Sequence, residues 1–331
     1  MATISKGLAS LAAFRNRLRL PPLAAPILVL ITLVILVTLI NPRFLSGANI
    51  ANLMRQVSIL IIVAMGETFI ILMGSIDLSV EGVMALASVI IGLLAKNYFN
   101  SNDFGIWAVL IAVILCTLIG FLNGFSHTKM RIPSFMATLG MMYVGVGLAT
   151  WLSNGMNLPI LDPMLLSWAR GNTGPIPNLT FFGIAIFLIA FFIQRYTRFG
   201  RYVLAIGGAE DRAKLAGIPI DKYKILAFTL AGFFVGIGGV LNSARIGAGA
   251  ANSGLNQLFA AITAVVVGGT ALTGGTGGVV GTLIGALIVT VISNGMLLAG
   301  VPSYVQPAVH GVIITIGVIL TIDRSKLPFI K

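Results

Sequence analysis

Ten apolar windows, separated by Gly, Pro, Asn or charged residues, follow one another along almost the whole chain. Each is close to the roughly 20 residues that an α-helix needs to cross a hydrocarbon core about 30 Å thick. Charged residues make up 9% of the 331 residues, whereas a soluble domain has about 25%. The pattern predicts an all-α membrane protein of about ten transmembrane helices. The predicted spans cover residues 23–40, 57–73, 78–95, 106–122, 132–152, 179–194, 225–242, 258–272, 279–299 and 305–322.

These spans leave little room for a soluble domain, because ten crossings use about 200 residues. We expect a basic N-terminal segment (1–22), one transmembrane domain (23–322) and a short C-terminal tail (323–331). The first window is longer than a signal-peptide core and has no small-residue cleavage site after it, so we interpret it as a retained helix. The two longest connections are residues 153–178 and residues 195–224.

Basic residues indicate the orientation, because they accumulate in the cytoplasmic connections of membrane proteins. With the N-terminus inside, 16 of the 21 Lys and Arg residues fall on the cytoplasmic side and five on the opposite side. We therefore expect both termini in the cytoplasm, a cytoplasmic connection at 195–224 and an external loop at 153–178. The five residues expected outside are Arg43, Arg55, Lys96, Arg170 and Arg245.

Residue types exclude several functional classes. The net charge of +12 does not indicate nucleic-acid binding, because the basic residues lie in short clusters between apolar windows. The two histidines have no metal-ligand spacing, and the single cysteine, Cys116, has no partner within the chain. No phosphate-binding loop of the form Gly-x-x-x-x-Gly-Lys-Ser/Thr occurs, and the glycine-rich run 274–281 is interpreted as a tight turn between helices. We expect no enzyme, no metal and no cofactor in this chain itself.

Acidic side chains in the spans are few and mark candidate functional positions. An ionised group in the middle of a bilayer costs about 2.5–3.5 kcal/mol, so we expect Glu67 to face a cavity or a partner. Asp77 and Glu81 lie at the turn into the third span, where we expect Asp77 to cap the helix, with solute contact as the alternative. Polar residues inside spans line a path for a hydroxylated solute or form hydrogen bonds between helices. The candidate translocation path consists of Glu67, Thr68, Asn123, Phe135, Thr138 and Asn294.

Glycines four residues apart indicate close packing between helices. Such pairs occur at 120 and 124, at 232 and 236, and at 277, 281 and 285. An internal duplication is a second expectation. The second to fifth spans and the seventh to tenth spans would form equivalent units in inverted orientation, since five crossings separate them. The dipeptide Asn-Gly at 123–124 and again at 294–295 is consistent with this repeat.

The cytoplasmic connection 195–224 contains a helical signal of its own. An acidic start, an Ala-rich centre and a Gly-Ile-Pro stop between residues 208 and 219 predict an exposed helix of two or three turns.

Several stretches of the chain resemble the permease subunits of ribose-type sugar importers of the ATP-binding-cassette (ABC) class. Their order, spacing and predicted location agree with that family over about residues 25–325. The resemblance implies that the chain helps to import a sugar or a related small polyol across a bacterial inner membrane. The stretches are residues 66–80, 123–124, 131–140, 197–202, 205–208, 213–218 and 267–275.

The resemblance also implies partners. They are a second permease copy or a paralogue, a pair of cytoplasmic ATPases that bind ATP and Mg, and a periplasmic or lipid-anchored solute-binding protein. Where that family usually has an acidic pair and an Asn, this chain has Leu258, Ala260 and Ala209, so a different polyol is compatible with the resemblance. The helix that it implies for coupling to the ATPases consists of Glu210, Asp211, Arg212, Ala213, Lys214, Leu215, Ala216, Gly217 and Ile218.

An alternative function is a self-sufficient secondary transporter or channel for a small polar solute. The shortage of acidic residues in the spans and the basic, helix-bearing connection at 195–224 argue against it. A membrane-bound enzyme is a third reading, but the sequence has no assembled catalytic set.

Overall fold

The computed structural model describes residues 23–321, and this part of the chain is mostly helical. The expected basic segment 1–22 and tail 323–331 lie outside the described residues, as does Ile322 at the end of the last predicted span. Each apolar window contains a helix, although the helix in the eighth window ends at Val267 and not at 272. The helices are α1 (Ala24–Ile40), α2 (Gly47–Leu72), α3 (Val80–Leu94), α4 (Ile106–Thr128), α5 (Ser134–Ser153), α6 (Pro163–Arg170), α7 (Asn178–Tyr196), α8 (Arg198–Gly208), α9 (Glu210–Leu215), α10 (Ile220–Ile246), α11 (Gln257–Val267), α12 (Val279–Leu298) and α13 (Gln306–Thr321).

Six of these helices are long and apolar enough to cross a membrane by length and composition: α2, α4, α5, α7, α10 and α12. Helices α1, α3 and α11 are apolar but shorter. Only 17% of the most apolar stretch of α5 is buried within the chain, compared with 89% for α2. Since water does not solvate so large an apolar surface favourably, lipid or another chain covers it. The chain is therefore a multi-pass membrane protein.

Helices α2 and α10 form the centre of the bundle, and glycines bring their neighbours close. A methyl group added to Gly232 of α10 would lie 2.5 Å from the carbonyl oxygen of Cys116 and 2.9 Å from the Cα of Gly120, both on α4. A methyl group added to Gly285 of α12 would lie 2.9 Å from the backbone nitrogen of Gly268 at the end of α11. The predicted close packing at these glycine pairs is confirmed.

Two irregular segments interrupt the helical pattern. Residues 73–79 separate the 26-residue helix α2 from the 15-residue helix α3. Residues 247–256 separate the 27-residue helix α10 from the 11-residue helix α11. In both places a long helix is followed by non-helical backbone and then by a shorter helix.

The connections between helices collect at two ends of the bundle. At the end that carries α8 and α9, here called the α9 end, Lys129 Nζ lies 2.7 Å from Asp221 Oδ2. At the same end, Gly275 donates a backbone hydrogen bond of 2.9 Å to Leu72. At the opposite end, called the α6 end, the two-residue strands β1 (Leu158–Pro159) and β4 (Ala248–Gly249) pair antiparallel. Strands β2 (Asn172–Thr173) and β3 (Ile176–Pro177) form a second small ladder beside α6.

Helices α6 and α8 were not predicted from the sequence. Both are too short and too polar to appear as apolar windows, and they lie inside the two long connections. The signals were nevertheless present. Asp162 accepts hydrogen bonds from the backbone of Met164 and Leu165 and precedes Pro163 at the first helical position of α6. Thr197 caps α8 in the same way, by accepting a hydrogen bond from the backbone of Gly200.

Candidate functional site

The helix expected to contact the ATPases is α9, and it is shorter than predicted. It spans the six residues Glu210–Leu215, which is less than two turns. Its C-terminus is closed by two backbone hydrogen bonds, from Gly217 to Lys214 and from Ile218 to Ala213. Gly217 has φ +76°, so the pair of bonds forms a Schellman motif with glycine at the left-handed position. Residues Ala216 to Ile218 therefore belong to the helix cap and not to the helix.

One side of α9 packs on the bundle and the other is free for contact with another molecule. The Ala213 side chain is 4% exposed, whereas that of Leu215 is 87% exposed. Lys224 on α10 holds the start of α9 through a 2.8 Å ion pair with Glu210. A cleft of about 450 Å³ lies beside the helix. It is lined by Lys129, Glu210, Lys214, Ile218, Pro219, Ile220, Asp221 and Lys222.

The C-terminal end of α8 connects α9 to the rest of the bundle through backbone contacts, which we call the glycine junction. It consists of Gly207 and Gly208 of α8, Gly274 and Gly275 of the turn between α11 and α12, and Leu72 at the end of α2. A methyl group on Gly275 would lie 2.5 Å from the Cα of Gly208, and one on Gly207 would lie 2.6 Å from Gly275 N. Gly274 and Gly275 have φ of +82° and +78°, which agrees with the predicted tight turn.

The glycine junction leads directly into the irregular segment 73–79, where Asp77 is buried. Asp77 Oδ1 accepts hydrogen bonds from the backbone nitrogen and the hydroxyl group of Ser79 at 2.8 and 2.6 Å. The Ser79 hydroxyl in turn accepts a 2.9 Å hydrogen bond from Asn123 Nδ2. Thr138 Oγ1 accepts one of 2.9 Å from Leu78 N. Asp77 therefore differs from the expected cap: it binds Ser79, which precedes α3, and no N–H group of the helix itself.

Glu67 lies in the last two turns of α2 with no exposed surface. Neither of its carboxylate oxygens has a hydrogen-bond partner among the described residues. Buried polar groups in proteins are nearly always paired, so an unpaired carboxyl group in a membrane helix is a candidate functional position. The neighbouring residue Thr68 is also buried and shares a 2.8 Å hydrogen bond with Thr282 of α12.

The remaining candidate path residues do not lie together. Asn294 exchanges two 2.9 Å amide hydrogen bonds with Asn49, toward the α6 end. Phe135 is 45% exposed at the start of α5, near the α9 end. Asn123 and Thr138 both contact segment 73–79. In this conformation all candidate path residues except Phe135 are buried inside a single chain and, except for Glu67, are hydrogen-bonded within it.

A carboxylate that was not assigned to the path lies at the start of α11. Glu81, in the first turn of α3, accepts a 2.8 Å hydrogen bond from the backbone nitrogen of Asn256, the residue that precedes α11. Leu258 and Ala260 follow two and four residues later and are buried. An acidic group from α3 therefore lies at the N-terminus of α11, whose own first turn contains no acidic residue.

The fold and these contacts define a class of protein: a multi-pass membrane protein with an exposed short helix at one end and buried polar groups in its spans. Residues 49–321 match the family of permease components of the branched-chain amino acid transport system. The ribose import permease of Bacillus subtilis is 38% identical over 303 residues, which cover 91% of this chain and 92% of that protein. A probable ABC transporter permease of Escherichia coli is 37% identical over 89% of this chain and 88% of its own length. The xylose transport permease of Haemophilus influenzae is 31% identical over 86% of this chain and 91% of its own length.

The chain belongs to this family of transport-system permease components. The predicted resemblance and the prediction of a transport subunit that is not an enzyme are confirmed. Membership of the family also implies an ABC transport complex in which other subunits bind ATP. No solved structure matches the chain significantly.

Proposed function

We propose that this chain is the permease subunit of an ABC importer that carries a sugar or a related small polyol across the bacterial inner membrane. The relatives named above for ribose and xylose support a pentose-like solute. ATP and Mg are then bound by separate cytoplasmic ATPases, and a periplasmic or lipid-anchored binding protein delivers the solute.

The observation that carries this proposal is the geometry at the α9 end. A small helix with one exposed face is held to the bundle by a Schellman cap and an ion pair. Behind it, the glycine junction passes any displacement of α8 and α9 to Leu72 and segment 73–79 without intervening side chains. Backbone packed on backbone leaves no flexible atoms to absorb the movement. A partner that pushes α9 therefore moves polar groups inside the membrane.

The proposed topology has ten spans and both termini in the cytoplasm. The contacts within the bundle support it, because connections that the topology places on one side contact each other. Lys129 pairs with Asp221 at the α9 end, the proposed cytoplasmic side. Arg170 donates to the backbone oxygen of Arg245 at 3.0 Å at the α6 end, the proposed outer side.

The inverted repeat is part of the same proposal. The series of 26-residue helix, irregular segment and 15-residue helix in α2–α3 recurs as 27 residues, irregular segment and 11 residues in α10–α11. Helices α4 and α5 then correspond to α12 and α13. Repeats of this kind place solute sites beside interrupted helices near the middle of the membrane.

The proposed assembly contains a second permease copy or a paralogue, and the apolar face of α5 that its own chain leaves open would accommodate it. Tyr143 and Trp151 on this face are 67% and 72% exposed. We retain Glu67, Thr68, Asn123, Phe135, Thr138 and Asn294 as candidates for the path. Only Phe135 is exposed in the present conformation, and the others require a rearrangement that uncovers them.

The test is uptake of radiolabelled ribose, xylose and arabinose by vesicles that contain this chain with its ATPase and binding protein. We expect uptake that requires ATP and all three components. Leu215→Glu, on the exposed face of α9, should abolish uptake while the permease stays folded, and Arg201→Ala on α8 is the matched surface control. Uptake by the purified chain alone, driven by a proton or sodium gradient, would instead support the secondary transporter.

A further inference from the structure

The irregular segment 247–256 lies along one face of α3 over most of the length of that helix. From the α6 end inward, a methyl group on Gly249 would lie 2.9 Å from Gly92 Cα. Ala250 N then donates a 2.9 Å hydrogen bond to Ser88 Oγ. Finally, Asn256 N donates one to Glu81 Oε1. The segment therefore carries non-helical backbone deep into the bundle.

Its depth follows from the packing of α3 on α5. Gly82, next to Glu81, packs so closely on Met142 that an added methyl group would lie 2.8 Å from Met142 Cα. At a rise of 1.5 Å per residue, Met142 lies about 12 Å from Ser134 at one end of α5 and about 16 Å from Ser153 at the other. Glu81 and Asn256 therefore lie beside the middle of α5, a helix that is long enough to cross the membrane.

Polar groups at this depth are exposed. Asn252 and Asn256 are both exposed, and Glu81 is partly exposed. Hydrocarbon offers no partner to amide or carboxylate groups, and non-helical backbone at membrane depth occurs only where protein or water covers it. Because the chain itself leaves these groups uncovered, either water or another protein chain covers the surface that they form. We call the surface of Glu81, Asn252 and Asn256 the polar face.

We propose that the polar face borders the water-filled translocation path and that Glu81, Asn252 and Asn256 contact the hydroxyl groups of a neutral polyhydroxylated solute. The inference rests on the proposed transport function and adds a site that differs from the candidate path residues. A carboxylate and two amides accept and donate the hydrogen bonds that hydroxyl groups need. Phe259, 48% exposed and one helical turn beyond Asn256, adds aromatic surface of the kind common in ligand sites.

Cysteine labelling tests the position of this surface, and the native chain suits the method because its only cysteine, Cys116, is buried. Asn252→Cys and Asn256→Cys are compared with Leu188→Cys, an apolar position that is 55% exposed and lies near the middle of α7. The reagent is a membrane-impermeant, positively charged methanethiosulfonate, applied to the complete transporter in vesicles with and without ATP. We expect both asparagine positions to react at least about tenfold faster than position 188, since a thiol surrounded by apolar groups is a poor nucleophile.

Transport kinetics test the contact with the solute. Glu81→Gln retains an oxygen that can accept the hydrogen bond from Asn256, so α11 keeps its start. For the sugar that the wild-type complex takes up best, we expect KM to rise about tenfold, the effect of losing one charge-assisted hydrogen bond, with the maximal rate within about twofold.

Two results would overturn the inference. One is labelling at 252 and 256 that is as slow as at 188 in both ATP states, and the other is an unchanged KM in Glu81→Gln. Either can occur while wild-type uptake remains dependent on ATP, so the transport function would stand. Absence of uptake by the wild-type complex would reject the transport function instead. The labelling rates would still report whether water reaches the polar face.

Discussion

Replacing Gly207 by Ala should push α8 away from Leu72 and Gly275 at the glycine junction. The added methyl carbon would lie 2.6 Å from Gly275 N and closer still to the Leu72 carbonyl oxygen. A relaxed contact of a carbon with a polar backbone atom is about 3.3 Å, so the backbones must move apart by about 0.7 Å or more. The hydrogen bond from Gly275 N to Leu72 O, now 2.9 Å, would then exceed its normal range of about 2.7–3.2 Å.

The expected destabilisation is about 2–4 kcal/mol, the sum of an overpacking cost of about 1–3 kcal/mol and the loss of one buried hydrogen bond of about 1 kcal/mol. Thermal unfolding of the purified protein in detergent should therefore begin at least about 4 °C lower. ATP-dependent uptake should fall further than folded protein does, because α9 is no longer joined firmly to segment 73–79.

The matched control is the adjacent variant Gly208→Ala. Its methyl group would approach no atom more closely than Gly275 Cα at 3.9 Å, an ordinary van der Waals contact. We expect its unfolding temperature and uptake to equal those of the wild type. If Gly207→Ala and Gly208→Ala behave alike in both assays, the junction does not transmit force in the way argued here.

Three further predictions concern packing, pairing and the end of α9. Gly232→Ala should cost about 1–3 kcal/mol in thermal unfolding, whereas Gly140→Ala, with no atom within 4 Å of the added carbon, should be neutral; equal losses would contradict the packing argument. A double-mutant cycle on Asn49 and Asn294 should give a coupling of about 0.5–1.5 kcal/mol, and additive effects would show that their amide pair contributes nothing. Gly217→Ala should destabilise the permease by about 1 kcal/mol and Gly217→Asn by less, because Asn tolerates positive φ; limited proteolysis of the segment around α9 measures this, and greater protection in the Ala variant would refute it.

Much of the candidate site was readable from the sequence because it depends on local signals. The stop signal Gly217-Ile218-Pro219 fixes the end of α9, since glycine adopts the left-handed conformation that a Schellman cap needs. The glycine pairs in α4 and α10 identified surfaces of close approach. Asp77 was predicted to cap α3, but it binds Ser79, which lies outside the helix, and the sequence pattern alone does not distinguish the two arrangements.

The surface that we assign to the path was not readable in this way. Segment 247–256 is rich in Ala, Gly and Asn and reads as an ordinary loop between spans. Its depth depends on Gly249, Ala250 and Asn256 contacting residues more than 150 positions earlier in the chain. Glu81 likewise reads as a favourable charge in the first turn of α3, and only the packing reveals that it serves α11 as well.

The sequence by itself determined the membrane environment, the helices of the apolar windows and the sites of close packing. Each of these follows from residues that are near one another along the chain: apolar windows of bilayer length, and glycines four apart. Only the tertiary structure decided which polar groups are enclosed and which remain open. Glu67 is buried and Asn256 is exposed, although both lie in the membrane domain. Exposure is set by which helices pack against a position, and that depends on contacts between distant parts of the chain.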